Sequence, residues 1–292
     1  MNIQWYPGHM TKARRMMQEN IKLVDLIIEL VDARAPLSSR NPDIDELGKG
    51  KSRLILLNKA DLASERWNDR WSVWFQEQGY FVVKLDSRSR AGMKSIQNVI
   101  REACQEKIER DKKRGILNRP IRGMVAGIPN VGKSTFINSF AGKACTKTGN
   151  RPGVTKGAQW IRLNRQVELL DTPGILWPRF DDQQVGIRLA MLGSVNDEIL
   201  NLQELAGKLG SFLEEYFPEN LQERYQTEFS AGSQPYEMLV KIAEARSCLT
   251  RGGEPDLDRA AMVLLDDFRS GRLGKITLEF PPEGEYDKRI KE

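Results

Sequence analysis

A phosphate-binding pattern lies near the middle of the chain, in the run Gly127-Ile-Pro-Asn-Val-Gly-Lys-Ser-Thr135. An apolar segment precedes it and a helix-like segment ending at Ala141 follows it, which is the strand–loop–helix setting in which this pattern binds phosphate. The glycines allow backbone N–H groups to point inward, and the start of the helix adds partial positive charge. Lys133 can then reach the β- and γ-phosphates of a nucleotide, and the Ser134 hydroxyl can ligate Mg²⁺. We predict nucleotide contacts by Asn130, Val131, Gly132, Lys133, Ser134 and Thr135.

A second motif, Asp171-Thr-Pro-Gly174, closes the apolar run Val167–Leu170. A carboxylate at the end of a strand beside a phosphate loop can hold Mg²⁺ through water, and the N–H of Gly174 can donate to the γ-phosphate. We therefore predict that Asp171 is a magnesium ligand together with Ser134.

A third motif, Asn58-Lys59-Ala60-Asp61, indicates which base is bound. The Asp61 carboxylate can accept two hydrogen bonds from guanine, one from N1–H and one from the exocyclic amine. Adenine lacks this pair of donors, so Asp61 would be buried and unmatched beside ATP. Alone, such a motif is usually a turn after a strand, and the phosphate-loop pattern alone could be a glycine turn beside a surface lysine. The three motifs together predict GTP.

Apolar runs that resemble strands precede these motifs, at Val24–Val31, Ile55–Leu57 and Phe81–Leu85 as well as before Gly127 and Asp171. Helix-like patterns separate them, including Trp67 to Gln78 and a charged stretch from Glu102 to Arg114. Strands that alternate with helices indicate an α/β fold with a mostly parallel sheet.

The order of the motifs is unusual, because the guanine motif precedes the phosphate loop by about seventy residues. In ordinary GTPases it follows the phosphate loop. A domain whose ends lie close together can be opened elsewhere without changing its packed core. The chain therefore resembles the circularly permuted GTPases, and it is most similar to the ribosome biogenesis GTPase A family. The residues that carry this resemblance are Trp5-Tyr-Pro-Gly-His-Met10, Val31-Asp-Ala-Arg-Ala-Pro36, the Asn58 motif, Gly127–Thr135, Gly153-Val-Thr-Lys-Gly157 and Asp171–Gly174.

The resemblance implies roles for further residues. Thr155 would be the switch threonine, whose hydroxyl joins Mg²⁺ only when the γ-phosphate is present, although a plain surface threonine is the alternative. The loop around guanine O6 would be formed by Asp86, Ser87 and Arg88, with the more common Ala-Lys replaced here by Ser-Arg. His9 would swing inward on the ribosome.

The predicted architecture is a circularly permuted P-loop GTPase domain at residues 1–175, with a basic N-terminal segment, followed by a smaller all-α domain at residues 176–292. Apolar residues at three- and four-residue spacing between Leu200 and Phe217 indicate one helix of that second domain, and two more follow. The family's C-terminal domain resembles RNA-binding bundles. RNA contact here would need a local basic patch, for which the candidates are Arg246, Arg251, Arg269, Arg272 and Lys275.

Charge is distributed unevenly along the 292 residues, whose formal net charge is +5. Residues 1–176 carry a net charge of +13 and residues 177–292 a net charge of −8. A basic half suggests a polyanionic partner such as RNA, although a solubilising charge on an ordinary enzyme is the alternative. The three cysteines form no C-x-x-C pair, and no apolar run approaches transmembrane length, which favours a cytoplasmic protein without a membrane span. The single histidine argues against the usual zinc sites.

The residue after Gly174 is Ile175, where many GTPases carry a glutamine that orients the attacking water. An aliphatic side chain cannot do this, so we expect a low intrinsic rate. Three explanations remain open for how the site is completed. His9 could accept a hydrogen bond from water, K⁺ bound at Asn130 could supply charge, or a ribosomal partner could order the switches. Beside Lys133 and Thr155, His9 is the catalytic candidate.

These observations predict a GTPase that requires Mg²⁺, and for which K⁺ is a second candidate ion. Its partners would be GTP, GDP and the large ribosomal subunit, with its rRNA and ribosomal proteins. It would act late in assembly of that subunit and leave on hydrolysis. The alternative is a GTP-dependent switch for another RNA or protein, with incidental hydrolysis. An ATP-using enzyme is disfavoured by Asp61.

Overall fold

A six-stranded sheet lies at the centre of the computed structural model, which describes residues 3, 6, 8–116, 118–146, 157–229, 232 and 234–282. The strand order is β3-β2-β1-β4-β6-β5, and every neighbouring pair is parallel except β5 with β6. The mostly parallel sheet is therefore confirmed. In chain order the strands are β1 (Leu26–Asp32), β2 (Ser52–Asn58), β3 (Phe81–Leu85), β4 (Ile121–Ala126), β5 (Gln159–Arg162) and β6 (Val167–Asp171).

The central strand β1 is buried along its whole length, which explains its nearly continuous apolar sequence. Its one internal charge, Glu29, is 1% exposed and pairs with Arg53 at 2.8 Å and with Arg40 at 3.2 Å. Pairing of this kind is what makes a buried carboxylate tolerable. Strand β1 can thus be covered on both faces while its carboxyl end carries polar residues into the site.

The permutation is visible in how the chain fills the sheet. It enters at the centre as β1 and builds outward through β2 to β3. It then returns to the centre as β4, which pairs with β1 in the register Leu26 to Gly123, and builds the other side. The guanine motif therefore lies in the first half of the sheet and the phosphate loop in the second.

Helices surround the sheet and connect its strands. The first six are α1 (Gly8–Asn20), α2 (Pro42–Leu47), α3 (Glu65–Glu77), α4 (Met93–Ala103), α5 (Gln105–Lys113) and α6 (Lys133–Ala141). The helix predicted from Trp67 is confirmed as α3. The helix predicted from Glu102 to Arg114 is confirmed as α5, although it begins three residues later, because α4 ends at Ala103 and Cys104 separates the two helices. Cys104 is buried and has φ −108° and ψ 14°, and neither proline nor glycine marks this break in the sequence.

Five further helices follow the sheet: α7 (Gln183–Met191), α8 (Leu202–Tyr216), α9 (Pro218–Tyr225), α10 (Pro235–Ala245) and α11 (Leu257–Ser270). Helix α8 packs against both α10 and α11. The predicted helices correspond to α8, α10 and α11, whereas α7 and α9 were not predicted. Pro218 separates α8 from α9 because proline ends one helix and is well suited to the first turn of the next. None of the helices described is long and apolar enough to cross a membrane.

The segment after α11 returns to the sheet and binds along its first half. The N–H of Ile276 donates to the Leu62 carbonyl at 3.0 Å, and the N–H of Leu278 donates to the Arg34 carbonyl at 2.7 Å. The carboxylate of Glu279 accepts from the N–H of Ser38 at 2.9 Å. The helical C-terminal part is therefore fixed to the loops that follow β1 and β2.

Candidate functional site

The phosphate loop connects β4 to α6, so it lies at the carboxyl edge of the sheet between its two halves. Gly127 is held against β1, since a Cβ there would lie 2.6 Å from the Leu30 carbonyl oxygen. Gly132 has φ +100°, and a Cβ there would lie 2.4 Å from Nδ2 of Asn58. These two positions require glycine both for conformation and for space. The loop can therefore curl so that the α6 N-terminus, with Ser134 and Thr135 in its first turn, faces a phosphate.

Lys133 is buried and folds back over the loop. Its Nζ donates to the carbonyl oxygens of Gly127 and Ile128, both at 2.9 Å. Burial lowers the pKa of Lys133 to about 8, although the nearby Asp171 carboxylate opposes this shift. A Cβ at Gly174 would lie 2.9 Å from this Nζ, so the lysine lies between the phosphate loop and the Asp171 motif. This is where a terminal phosphate would meet both.

Asp171 is 1% exposed at the end of β6, and its Oδ1 is buried without a hydrogen-bond partner. Burial raises the pKa of Asp171 to about 6, against the opposing effects of Lys133 and of the Thr172 N–H. A buried carboxylate oxygen without a partner is costly, and a hard cation prefers such oxygen ligands. The position thus fits Mg²⁺, with Ser134 on the facing α6. Thr155, the third predicted ligand, lies outside the described residues.

The side chains of Asn58 and Lys59 face the site and also make hydrogen bonds within the protein. Nδ2 of the buried Asn58 donates to the Val131 carbonyl at 2.7 Å, and its Oδ1 accepts from the Ser87 hydroxyl at 2.7 Å. Nζ of Lys59 donates to the Asn130 carbonyl at 2.9 Å and to Asp32 at 2.8 Å. Both residues therefore join the guanine motif to the phosphate loop.

Asp61 remains exposed, as a base-binding carboxylate must be before the base arrives. Partial burial and the charge of Asp86 raise its pKa, so the two carboxylates are close to one another. Burial would also raise the pKa of Asp86, but hydrogen bonds from Ser89 and Arg88 outweigh it and lower that pKa. The loop after β3 is held by Ser87, whose carbonyl accepts from the Ser139 hydroxyl at 2.6 Å. The loop predicted to surround guanine O6 thus lies next to Asp61.

The side chains after Gly174 point into the core. Ile175 is 1% exposed and Leu176 is fully buried, so neither can reach a water in the site. The N–H of Leu176 contacts Sδ of the buried Met10 at 3.5 Å. His9 is the preceding residue in α1 and is exposed. The predicted catalytic histidine is therefore one residue away from a contact with the segment that follows Gly174.

Asn130 has φ 60°, and its Nδ2 donates to the Gly193 carbonyl at 2.6 Å. This contact orients the amide toward the loop after α7.

The potassium hypothesis predicts that replacing K⁺ by Na⁺ at constant ionic strength lowers GTP turnover about tenfold, because the smaller ion cannot span the same set of oxygens. Equal turnover rates in the two buffers would exclude a role for K⁺ at Asn130. A third buffer with Li⁺ in place of Na⁺ provides a second small ion for the comparison.

Two further residues of the site, Asp32 and Arg34, belong to the motif Val31-Asp-Ala-Arg-Ala-Pro36, for which the sequence alone predicts no separate role. Both are 1% exposed, and Asp32 accepts from Lys59. The available signal was their position, because Asp32 ends an apolar strand just as Asn58 and Asp171 do. Arg34, however, also donates to the Phe268 carbonyl, which lies 234 residues away in the sequence.

Three of the five residues considered for a basic patch in the helical part, Arg246, Arg269 and Arg272, have partners within the protein, and RNA contact by this patch stays a prediction. Arg269 pairs with Asp197 at 2.7 Å, and Arg272 pairs with Asp267 at 2.6 Å. Arg246 donates to the Arg224 carbonyl at 2.7 Å and lies over the Tyr225 ring. The sequence does not show these contacts, because Asp197 lies 72 residues before Arg269 and Arg224 lies 22 residues before Arg246.

Comparison with known proteins gives consistent matches. A family described as 50S ribosome-binding GTPase matches residues 122–228. The chain is 48% identical to ribosome biogenesis GTPase A of Bacillus cereus over 97% of its own length and 95% of that protein. It is 31% identical to the protein of the same name from Thermotoga maritima, over 96% and 95% of the two lengths. The crystal structure of GNP-bound YlqF from T. maritima matches with a TM-score of 0.64 and 29% identity, over 94% of this chain and 100% of that one.

Proposed function

This chain belongs to the ribosome biogenesis GTPase A family, and on that premise we propose that it acts in late assembly of the large ribosomal subunit. It is a GTPase of ribosome biogenesis with a circularly permuted P-loop fold. The finer proposal is that the subunit stimulates hydrolysis and that hydrolysis releases the protein. The description of the matching family as ribosome-binding supports the choice of subunit.

GTP binding uses the three motifs in distinct ways. The phosphate loop and Lys133 bind the phosphates, and Asp61 accepts from the guanine edge while Asn58 and Lys59 fix the loops around it. Ser134, Thr155 and Asp171 would hold Mg²⁺, which supplies positive charge for the β- and γ-phosphate oxygens. The orphaned Oδ1 of Asp171 is the observation that supports this ligand.

The observation that supports stimulation is the burial of Ile175 and Leu176. With these side chains in the core, neither Ile175 nor Leu176 offers a group to orient the attacking water. The intrinsic rate should therefore be low until a partner completes the site. We propose that the partner moves α1 so that His9 reaches this water, because α1 already contacts the segment through Met10.

The basic charge of residues 1–176 suits a partner whose surface is phosphate. We propose rRNA as that surface, contacted from the GTPase part, since the helical part is net acidic and two of its candidate arginines, Arg269 and Arg272, are paired with aspartates. We propose that residues 1–175 form the GTPase domain and residues 176–292 the helical domain, although many contacts join the two. We propose the cytoplasm as the location of the protein.

The test of this function is GTP turnover in potassium buffer with and without purified large ribosomal subunits. We expect stimulation of at least about tenfold, because completing a GTPase site in trans has large effects. Small subunits at the same RNA concentration are the control for nonspecific polyanion effects. Absence of stimulation with intact GTP binding would favour the alternative, a GTP-dependent switch for another RNA or protein.

His9→Ala should abolish most of the stimulated rate while leaving GTP affinity within about twofold, because general-base or water-positioning groups contribute roughly 10²–10⁴ in rate. The matched control is Gln18→Ala, which removes another exposed polar side chain from α1. Full stimulation of the His9 variant would exclude a catalytic role for this residue.

A further inference from the structure

The Arg34 guanidinium is 1% exposed, and all three of its nitrogens have partners. Nε and Nη2 donate to the two oxygens of Asp32, both at 2.9 Å. Nη1 donates to the carbonyl oxygens of Phe268 at 3.2 Å and Arg269 at 3.4 Å, at the end of α11. The guanidinium also lies over the Phe268 ring, 4.9 Å from its centre. Arg34 thus connects the end of β1 to the last described helix.

The same contacts continue from Asp32 into the nucleotide site. Oδ2 of Asp32 also accepts from Nζ of Lys59, which in turn donates to the carbonyl oxygen of Asn130 in the phosphate loop. Burial would raise the pKa of Asp32, but Arg34 and Lys59 outweigh it and hold that pKa well below its usual range. Asp32 is therefore an anion between two cations, and one of those cations belongs to the guanine motif.

A second connection runs from the phosphate loop back to α11. The side chain of Asn130 donates to the Gly193 carbonyl, and a Cβ at Gly193 would lie 3.3 Å from Nε of Arg269. Arg269 fixes this loop by donating to the Met191 carbonyl at 3.0 Å and to both oxygens of Asp197. Since the Arg269 carbonyl accepts from Arg34, the two connections close into a ring of contacts, which we name the Arg34 network.

We propose that Arg34 is a positioning residue for nucleotide binding, which holds Lys59 and the Asn130 turn of the phosphate loop in place from the end of α11. It acts through Asp32 and does not itself reach the nucleotide. The proposal requires only that the protein binds GTP and GDP, and it is independent of the ribosomal role. Nucleotide affinity is then a property of the GTPase part and the helical part together.

Arginine is required at this position for geometric reasons. A planar guanidinium can bind both oxygens of a carboxylate while a third nitrogen donates elsewhere, whereas a lysine ammonium cannot reproduce that arrangement. A buried charge pair also adds little to the free energy of unfolding. We therefore expect the pair of Arg34 and Asp32 to fix the positions of the groups that it connects. Arg34→Lys therefore keeps the charge but releases α11 from Asp32.

The experiment measures dissociation constants for GDP and GTP with the full-length Arg34→Lys variant. We expect both to rise about tenfold or more, because Lys59 and the Asn130 turn lose a fixed position. The matched control is Arg224→Lys, which breaks a similar bidentate pair with buried Asp267 inside the helical part, at 2.8 and 2.9 Å. The control should lower the unfolding temperature and leave both affinities within about twofold.

A double-mutant cycle distinguishes positioning from general destabilisation. If Arg34 acts through Lys59, then Arg34→Lys should weaken GDP binding by less than about threefold in a Lys59→Met background. An equal loss in both backgrounds, or wild-type affinities in the single variant, would overturn the proposal. If Arg34→Lys does not fold, the same measurement is made on Arg269→Lys. The Arg269 side chain is 22% exposed, so its replacement is better tolerated, and it belongs to the connection that runs through Gly193 to Asn130. Several-fold weaker GDP binding supports the network, and unchanged affinity refutes it.

Discussion

Replacing Lys133 by methionine should weaken binding of GTP at least about a hundredfold at pH 7. The Lys133 ammonium lies between the phosphate loop and Gly174, and hydrogen bonds to charged groups contribute roughly 1.5–3 kcal/mol each. Loss of contact with two phosphates therefore corresponds to about two orders of magnitude in the dissociation constant. Titration with a fluorescent guanine nucleotide measures it. Lys143→Met is the control, because Lys143 is exposed just after the same helix.

The pKa of about 8 adds a pH dependence to this prediction. Bound phosphates stabilise the charged amine, so binding above pH 8 requires uptake of a proton by Lys133. The affinity of the wild-type protein should consequently fall by up to about tenfold per pH unit above pH 8, whereas below pH 8 the amine is already charged and the affinity should be flat. The Lys133→Met variant should lack this component. Equal pH profiles for both proteins would contradict the assignment.

Replacing Asp171 by asparagine should stabilise the nucleotide-free protein and impair Mg²⁺-dependent function. The folded state raises the pKa of Asp171 from 3.8 to about 6, so it binds this proton more readily than the unfolded chain does. The free energy of unfolding therefore falls as pH rises from about 4 to 6, and above pH 6 the ionised group costs on the order of 3 kcal/mol. Asparagine has a similar shape without the charge, so the unfolding temperature at pH 7 should rise by a few degrees, roughly 2–4 °C per kcal/mol.

The same variant should lose the enhancement of GTP binding by Mg²⁺ and at least about a hundredfold in turnover, because the ligand and its charge are absent. Calorimetric unfolding at pH 4, 5, 6 and 7, without nucleotide, checks the stability part. Asp181→Asn is the control, since Asp181 is exposed and precedes α7. A lower unfolding temperature for Asp171→Asn at pH 7 would show that the carboxylate is satisfied in the folded protein. The two effects of opposite sign would identify a residue whose burial is retained for function and not for stability.

The local parts of the site were predictable, because each is encoded in consecutive residues. Strands β3 and β4 are apolar runs, and the groups that follow β2, β4 and β6 have types and spacings suited to phosphate, metal and guanine. Parallel strands bring those ends to one edge of a sheet, which is why the motifs meet although the chain order is permuted.

The contacts that join these parts were not predictable from the sequence. Asn58 is recognisable as part of a guanine motif, but its two hydrogen bonds to Val131 and Ser87 depend on packing between distant elements. The Arg34 contact with Phe268 spans 234 residues and has no local pattern. The break at Cys104 likewise has no sequence signal, because neither proline nor glycine lies at this position.

The return of the last described segment to the first half of the sheet also means that some contacts of the early chain can form only late in synthesis. Synthesis proceeds from the N-terminus, so the phosphate loop is made well before Phe268, Ile276 and Glu279. Until those residues are joined, Arg34 lacks the carbonyls that its third nitrogen binds, and the N–H of Ser38 lacks its carboxylate. The loop that follows β1 is thus made early but has its contacts satisfied late, and if Arg34 positions the nucleotide site as proposed, that site is completed only after α11 has been made.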